Sequence, residues 1–194
     1  MNFLAHIFLS FGDDEITIGN FIADSIRGNK YGHLPERVQK GILLHRAIDT
    51  YTDSHPITKQ SSKRLHPNHG HYSRVVVDIF YDHFLARNWK TYSDTSLDTY
   101  VSQFYQLLDI HYPILPIGVQ KMMPYMIGDN WLVNYANIEG INRVLKGMYR
   151  RTKEKSNMNF AVLDLQEHYD LFENEFHAFF EELIIFSDDK FKSL

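Results

Sequence analysis

Apolar residues recur along this chain at intervals of three and four, the spacing that places them on one face of a helix. Phe3, Leu4, Ile7 and Phe8 predict a short helix over residues 2–10. Asp13 and Asp14 offer caps for a second, ITIGNFIADSIRG, closed by Gly28. Pro35 at a first helical position opens PERVQKGILLHRAIDTYTDS. His55-Pro56 ends it, because the residue before a proline resists helical angles. A short helix near 56–65 then leads into LHPNHGH, whose histidines His66, His69 and His71 read as a solvated loop. YSRVVVDIFYDHFLARNWK follows, apolar nearly all round, which signals burial. SLDTYVSQFYQLLDIHY, capped by Asp94 or Ser96, is stopped by Pro113 and Pro116, and IGVQKMMPYMIGDNW is expected to kink or break at Pro124. IEGINRVLKGMYRRTKEK is amphipathic and basic. Residues 159–188 predict one long helix with an aromatic stripe of Tyr169, Phe172, Phe176, Phe179 and Phe180. VVVDIF in isolation suits a strand, but it runs without a turn into YDHFLA, and no alternating pattern of useful length occurs elsewhere. The expectation is one all-α domain, a helical bundle over residues 1–194.

Composition narrows the chemistry. A chain of 194 residues buries a real core without staples. It has no cysteine, which removes disulfides, thiolate metal sites and thiol nucleophiles together. A formal charge of -4 argues against broad nucleic-acid binding. MNFLAHIFLSFGDDE lacks a basic flank and a small-residue cleavage site, and no apolar run is long enough to span a bilayer. A soluble, cytoplasmic protein without a membrane partner is expected.

Within this frame the stretch ILLHRAIDTYTDSHP raises a question. His45 and Asp49 lie one helical turn apart on the same face, surrounded by Ile42, Leu43, Leu44 and Ile48. A carboxylate in apolar surroundings is costly unless a cation or hydrogen-bond donors meet it. Asp78 and Asp82 repeat the problem in VVVDIFYDHF, where two carboxylates one turn apart repel unless a cation sits between them or one is protonated. Arg46 and Arg74 offer structural answers, as ion pairs inside the same two helices. The other answer is a metal: His45, Asp49, Asp78 and Asp82, with His6 and Asp24 on apolar N-terminal segments, suit a hard or borderline divalent ion such as Mn²⁺. There is no G-x-S-x-G, no phosphate-binding glycine loop and no E-x-x-H pair of a di-iron bundle. Arg143, Lys146, Arg150 and Arg151 begin a basic stretch that is either an ordinary solvated face or a dock for an acidic partner. Arg27, Lys30, Arg37 and Lys40 make a second basic cluster.

MNFLAH, GNFIAD, GILLHRAIDTYTDSHP and the VVVDIFYDHFLA block resemble the acyl carrier protein phosphodiesterase family, also called holo-acyl-carrier-protein hydrolases. WLVNYANIEGINRVLKGMYRR resembles its C-terminal half, so the likeness spans nearly the whole chain. The resemblance implies a divergent member of the HD phosphohydrolase superfamily: all-helical, with a His/Asp site for a divalent ion, typically Mn²⁺. It implies removal of 4′-phosphopantetheine from the serine of holo-acyl carrier protein. Carried over, His6, Asp24, His45, Asp49, Asp78, Asp82 and His83 occupy family motif positions. The chain departs from the superfamily pattern in having no adjacent His-Asp doublet; Asp82-His83 is the reverse order. His83 and His55 are candidate general acids for the serine leaving group, with Arg46 a further candidate catalytic group. Two alternatives stand beside this reading: hydrolysis of a nucleotide or other small phosphodiester, and a non-catalytic helical module that binds a carrier protein.

Overall fold

The computed structural model describes all residues, 1–194, and every regular element in it is helical. The α-helices are α1 (Phe3–Phe8), α2 (Asp14–Ile22), α3 (Glu36–Ser54), α4 (Pro56–His69), α5 (Ser73–Arg87), α6 (Trp89–Tyr92), α7 (Leu97–Ile110), α8 (Ile117–Gly128), α9 (Trp131–Asn134), α10 (Ile138–Arg151), α11 (Ala161–Glu167) and α12 (Tyr169–Lys192). Four short 3₁₀ turns punctuate them, at Ala23–Ser25, Gly70–Tyr72, Tyr112–Ile114 and Met158–Phe160. The all-α expectation holds, and no helix is long and apolar enough to cross a membrane.

Most helix ends obey the local chemistry read from the sequence. Asp13 caps α2 by accepting from the Ile16 amide, and Ser96 caps α7 through Thr99. His55 closes α3 in an extended conformation, and its side chain then caps α4 through Ile57. Several boundaries differ. The helix expected to close at Gly28 ends at Ile22 and is followed by the 3₁₀ turn Ala23–Ser25. The helix expected to stop near 65 runs on through Pro67 to His69. Pro67 falls in the last turn, where only its own missing amide is lost, and that turn is anchored from outside. His69 is buried with Nε2 2.8 Å from Asp164 Oδ2, and the Asn68 carbonyl accepts from Asn157. His69 is therefore an interior residue, whereas His66 and His71 are exposed. Pro124 does not break α8, which continues to Gly128. The long C-terminal helix is broken at His168, so that α11 and α12 are separate, and α12 carries the aromatic stripe.

A single cluster of 45 buried apolar residues joins these helices. α12 lies along α3, α4 and α5. Its Phe172, Phe176, Phe179 and Phe180 are fully buried, with Phe176 and Phe180 at 5.0 Å between ring centroids. Such pairs add about 0.5–1.5 kcal/mol beyond the area they bury.

The backbones of α2 and α3 approach closely, and the approach depends on two glycines. A Cβ on Gly19 would lie 2.0 Å from the Val38 carbonyl oxygen, and one on Gly41 2.2 Å from that of Ile16. Only residues without a Cβ allow the two backbones this near. The contact brings Asn20 of α2 beside His45 of α3. A second long-range bond places α1. The first turn of any helix leaves amides unsatisfied, and α1 has no side-chain cap of its own. Asp82 from α5 supplies it, accepting from the Leu4 amide at 2.7 Å and the Ala5 amide at 3.1 Å. α1 is thereby held against α2 and α5 with His6 pointing inward.

Candidate metal centre

His6, His45 and Asp49 meet where α1, α2 and α3 converge, with one ligand atom from each within 4.8 Å of the others. His6 Nε2 lies 3.2 Å from Asp49 Oδ1, and His45 Nε2 lies 3.1 Å from Asp49 Oδ2. Asp24, in the turn after α2, adds an oxygen 3.2 Å from His45 Nε2. The two imidazoles are stacked, 3.8 Å between centroids and 18° apart, and both are buried.

Which nitrogen of each ring is available follows from Asn20. Its Nδ2 donates to the His6 carbonyl at 2.8 Å and to Ser10 Oγ at 3.1 Å, so its Oδ1 faces His6 Nδ1, 2.8 Å away. An amide oxygen only accepts, so His6 carries its proton on Nδ1. The Asn20 backbone carbonyl does the same for His45, 2.8 Å from Nδ1. Both Nε2 lone pairs therefore aim at Asp49, and the buried His6 Nε2 has no hydrogen-bond partner. Two lone pairs and three carboxylate oxygens converging on one space repel unless positive charge sits among them. The arrangement is the usual one for metal-binding histidines, in which the second ring nitrogen is tied by an outer hydrogen bond that sets the tautomer. The donor set fits a divalent ion. Asn20 was not among the candidates read from the sequence, although a polar side chain inside the apolar run GNFIAD was a visible signal.

Without a metal, protons and an amine supply the charge. Burial alone would lower His45, but the bonds to Asp24 and Asp49 outweigh it and raise it to about 9. Burial and the neighbouring His45 lower His6 to about 4. Burial tends to raise Asp49, yet the two histidines hold it far below the usual carboxylate range. The Met1 amino nitrogen is 3.5 Å from Asp49 Oδ1 and 3.2 Å from Asp78 Oδ1. A metal must displace the His45 proton, because ligation needs the neutral ring. Below a pKa of about 9 that competition costs one proton. Apparent metal affinity is therefore expected to rise about tenfold per pH unit between pH 7 and 9, then level off. Competition against a chromophoric chelator across that range measures it, and a flat profile would show that proton and metal do not share the site.

The other sequence candidates lie elsewhere. Asp82 is fully buried with both oxygens on the α1 amides, and burial pushes it up to about 7 despite those bonds. His83 donates from Nδ1 to the Tyr135 carbonyl at 2.7 Å, and its Nε2 is 2.9 Å from the Tyr169 hydroxyl, so both nitrogens are satisfied inside the core. His55 caps α4 and faces Glu182 at 3.2 Å. Neither arginine answers Asp49: Arg46 reaches the Gly28 carbonyl and stacks over Tyr31, while Arg74 pairs with Asp53 at 3.5 Å. Asp78 is about a third exposed and meets the Met1 nitrogen rather than the histidines. Arg143, Lys146, Arg150 and Arg151 form an exposed strip on α10, which packs against α5, α9 and α11.

The model of the acyl carrier protein phosphodiesterase family matches residues 1–183. The chain belongs to that family. Proteins named acyl carrier protein phosphodiesterase from Yersinia enterocolitica and Klebsiella pneumoniae are each 32% identical to it over 191 residues, covering 98% of this chain and 99% of the relative. One from Photorhabdus laumondii is 32% identical over 98% of this chain and 96% of its own length. No solved structure matches. Within this phosphodiesterase chain the buried cluster combines the MNFLAH, GNFIAD and LHRAID blocks through His6, Asn20, Asp24, His45 and Asp49.

Proposed function

We propose that this chain hydrolyses the phosphodiester joining 4′-phosphopantetheine to the serine of holo-acyl carrier protein, using Mn²⁺ held by His6, His45, Asp49 and Asp24. The observation that carries the reading is the pair of committed Nδ1–H groups on Asn20, which leave two Nε2 lone pairs facing a carboxylate. The ion, when bound, acidifies water and neutralises charge developing on phosphorus.

The chain's own residues do the rest. Asn20 keeps both imidazoles in the tautomer that presents Nε2. Asp82 holds α1, and through it His6, at a fixed depth. Arg46 ties the loop after Asp24 back to α3, which makes it a positioning residue in this reading. In the reaction a water oxygen bonds to phosphorus, the phosphorus–serine oxygen bond breaks, and the serine oxygen needs a proton. His83 and His55 are engaged elsewhere, so the reading gives them no proton to deliver. Asp78, about a third exposed and lying beside both Met1 and the groove between α4 and α5, is the carboxyl assigned to that exchange.

Incubating the full chain with holo-acyl carrier protein and Mn²⁺ is expected to shift the carrier's mass by loss of the prosthetic group. An unchanged mass with folded, metal-loaded protein rejects the activity. Turnover of small phosphodiesters alone would move the reading to a small-molecule hydrolase.

A further inference from the structure

A groove of about 670 Å³ runs between α4 and α5, and the metal-centre residues do not line it. Asp78 and Asp53, the latter one helical turn beyond Asp49 on α3, are among its lining residues. Lys59, Lys63, His66 and His71, with Arg74 from α5, line its length, and Val77 is its one apolar residue. Lys59, Lys63 and His66 recur at i, i+4 and i+7 on α4, so they share one face, and all three are exposed. Lys40 and Lys192 each pair with a carboxylate one turn away, whereas Lys59 and Lys63 are in no ion pair. Arg74 has only Asp53, at 3.5 Å, and both are about 60% exposed. A pair of that kind is worth little and exchanges partners readily. In a chain of net charge -4 this is a cationic strip with no internal use.

We propose that this groove is the docking surface for the acidic helical face of the acyl carrier protein, with Lys59, Lys63 and Arg74 as its principal charges. The inference rests on the proposed activity and adds where the partner sits. The scissile bond is made by the carrier's own serine, so the carrier surface has to come within a side chain's length of the metal centre. A groove lined by Asp53, one turn from Asp49, satisfies that requirement. The α10 strip lies on a helix whose main α-helical contacts are with α5, α9 and α11, none of which carries a residue of the centre. Acyl carrier proteins are acidic, and complementary charge at an interface of this kind governs encounter and orientation.

The test uses the full chain and the apo-carrier protein, which binds without being consumed. Titrated by fluorescence anisotropy at low and moderate salt, a Lys59→Glu/Lys63→Glu variant is expected to bind at least about tenfold more weakly and with a shallower salt dependence. A carrier in which acidic helix residues are reversed to lysine is expected to restore binding to that variant, which a merely misfolded protein would not show. Arg150→Glu/Arg151→Glu is the rival. Loss of binding in that variant, with the groove variant unchanged, overturns the proposal in favour of α10. Mass analysis of holo-carrier turnover by the unsubstituted chain separates the two levels. Cleavage together with unaltered binding by the groove variant overturns the docking surface alone. Neither cleavage nor binding by the unsubstituted chain overturns the activity and the dock together.

Discussion

Replacing Asp49 with asparagine is expected to lower Mn²⁺ affinity at least about a hundredfold and turnover of holo-acyl carrier protein about a thousandfold, with helicity unchanged. Asp49 is the one carboxylate that meets both imidazoles, at 3.2 and 3.1 Å. In the proposed reaction several kcal/mol of charge stabilisation would come from an ion held there, and each ~1.4 kcal/mol is a factor of ten in rate. In the metal-free cluster the asparagine amide can donate to the His6 Nε2 lone pair, but it gives up the charged pair that Asp49 makes with protonated His45. Metal-free Asp49→Asn protein is therefore expected to melt earlier than the metal-free parent below about pH 9, where His45 is protonated, and to lack any rise in melting temperature on adding Mn²⁺. Metal content by elemental analysis and thermal melts with and without Mn²⁺ measure both effects. Asp49→Asn protein that binds Mn²⁺ as tightly as the parent would remove Asp49 from the centre. His83→Gln is the contrast: it disturbs a buried bond to Tyr135 and Tyr169 and is expected to keep metal stoichiometry.

The second large effect comes from a residue with no side chain. Gly41→Ala is expected to destabilise the protein by about 3 kcal/mol, near the upper end for a single inserted carbon in a packed interior. The added Cβ would sit 2.2 Å from the Ile16 oxygen and 2.8 Å from the Asn20 nitrogen, both backbone atoms of α2 that cannot turn aside. For a chain of this length that corresponds to roughly 6–12 °C in melting temperature. Pushing α2 away from α3 also moves Asn20 relative to His45, so metal affinity is expected to fall along with stability. Calorimetry and metal titration on the same variant check the coupling. A variant that melts early yet binds metal normally would mean that the centre tolerates a shift between the two helices.

The stability effect and the metal effect have a common origin. The centre is assembled from α1, the end of α2 and the middle of α3, and each is placed by a contact outside the ligand set. The glycine pair sets the distance from α2 to α3. Asp82 holds α1 by its Leu4 and Ala5 amides. Asn20 then locks both rings at once, one through its side chain and one through its backbone.

Much of this was legible in the residues themselves. The interval of apolar positions sufficed for an all-helical chain, Asp13, Ser96 and His55-Pro56 marked helix ends, and the apolar setting of His6, His45 and Asp49 singled them out as donors in need of a cation. Periodicity states which side chains share a face of their own helix, and those judgements held. Which faces meet was not contained in it. Asp78 and Asp82 looked like the other half of a site because two carboxylates one turn apart in an apolar helix need positive partners. Tertiary structure met that need with the Met1 nitrogen and with the backbone amides of α1, donors that every sequence has and no motif reveals. His69, read as a loop residue, and His83, read as a candidate general acid, both became buried hydrogen-bond partners, of Asp164 and Tyr169, for the same reason. The sequence by itself determined the helices and the chemical inventory, because local propensity and capping act over a few residues. The tertiary structure alone decided which donors face one another, because that depends on helix–helix distances set by contacts such as Gly19 against Val38 and Gly41 against Ile16, far apart along the chain.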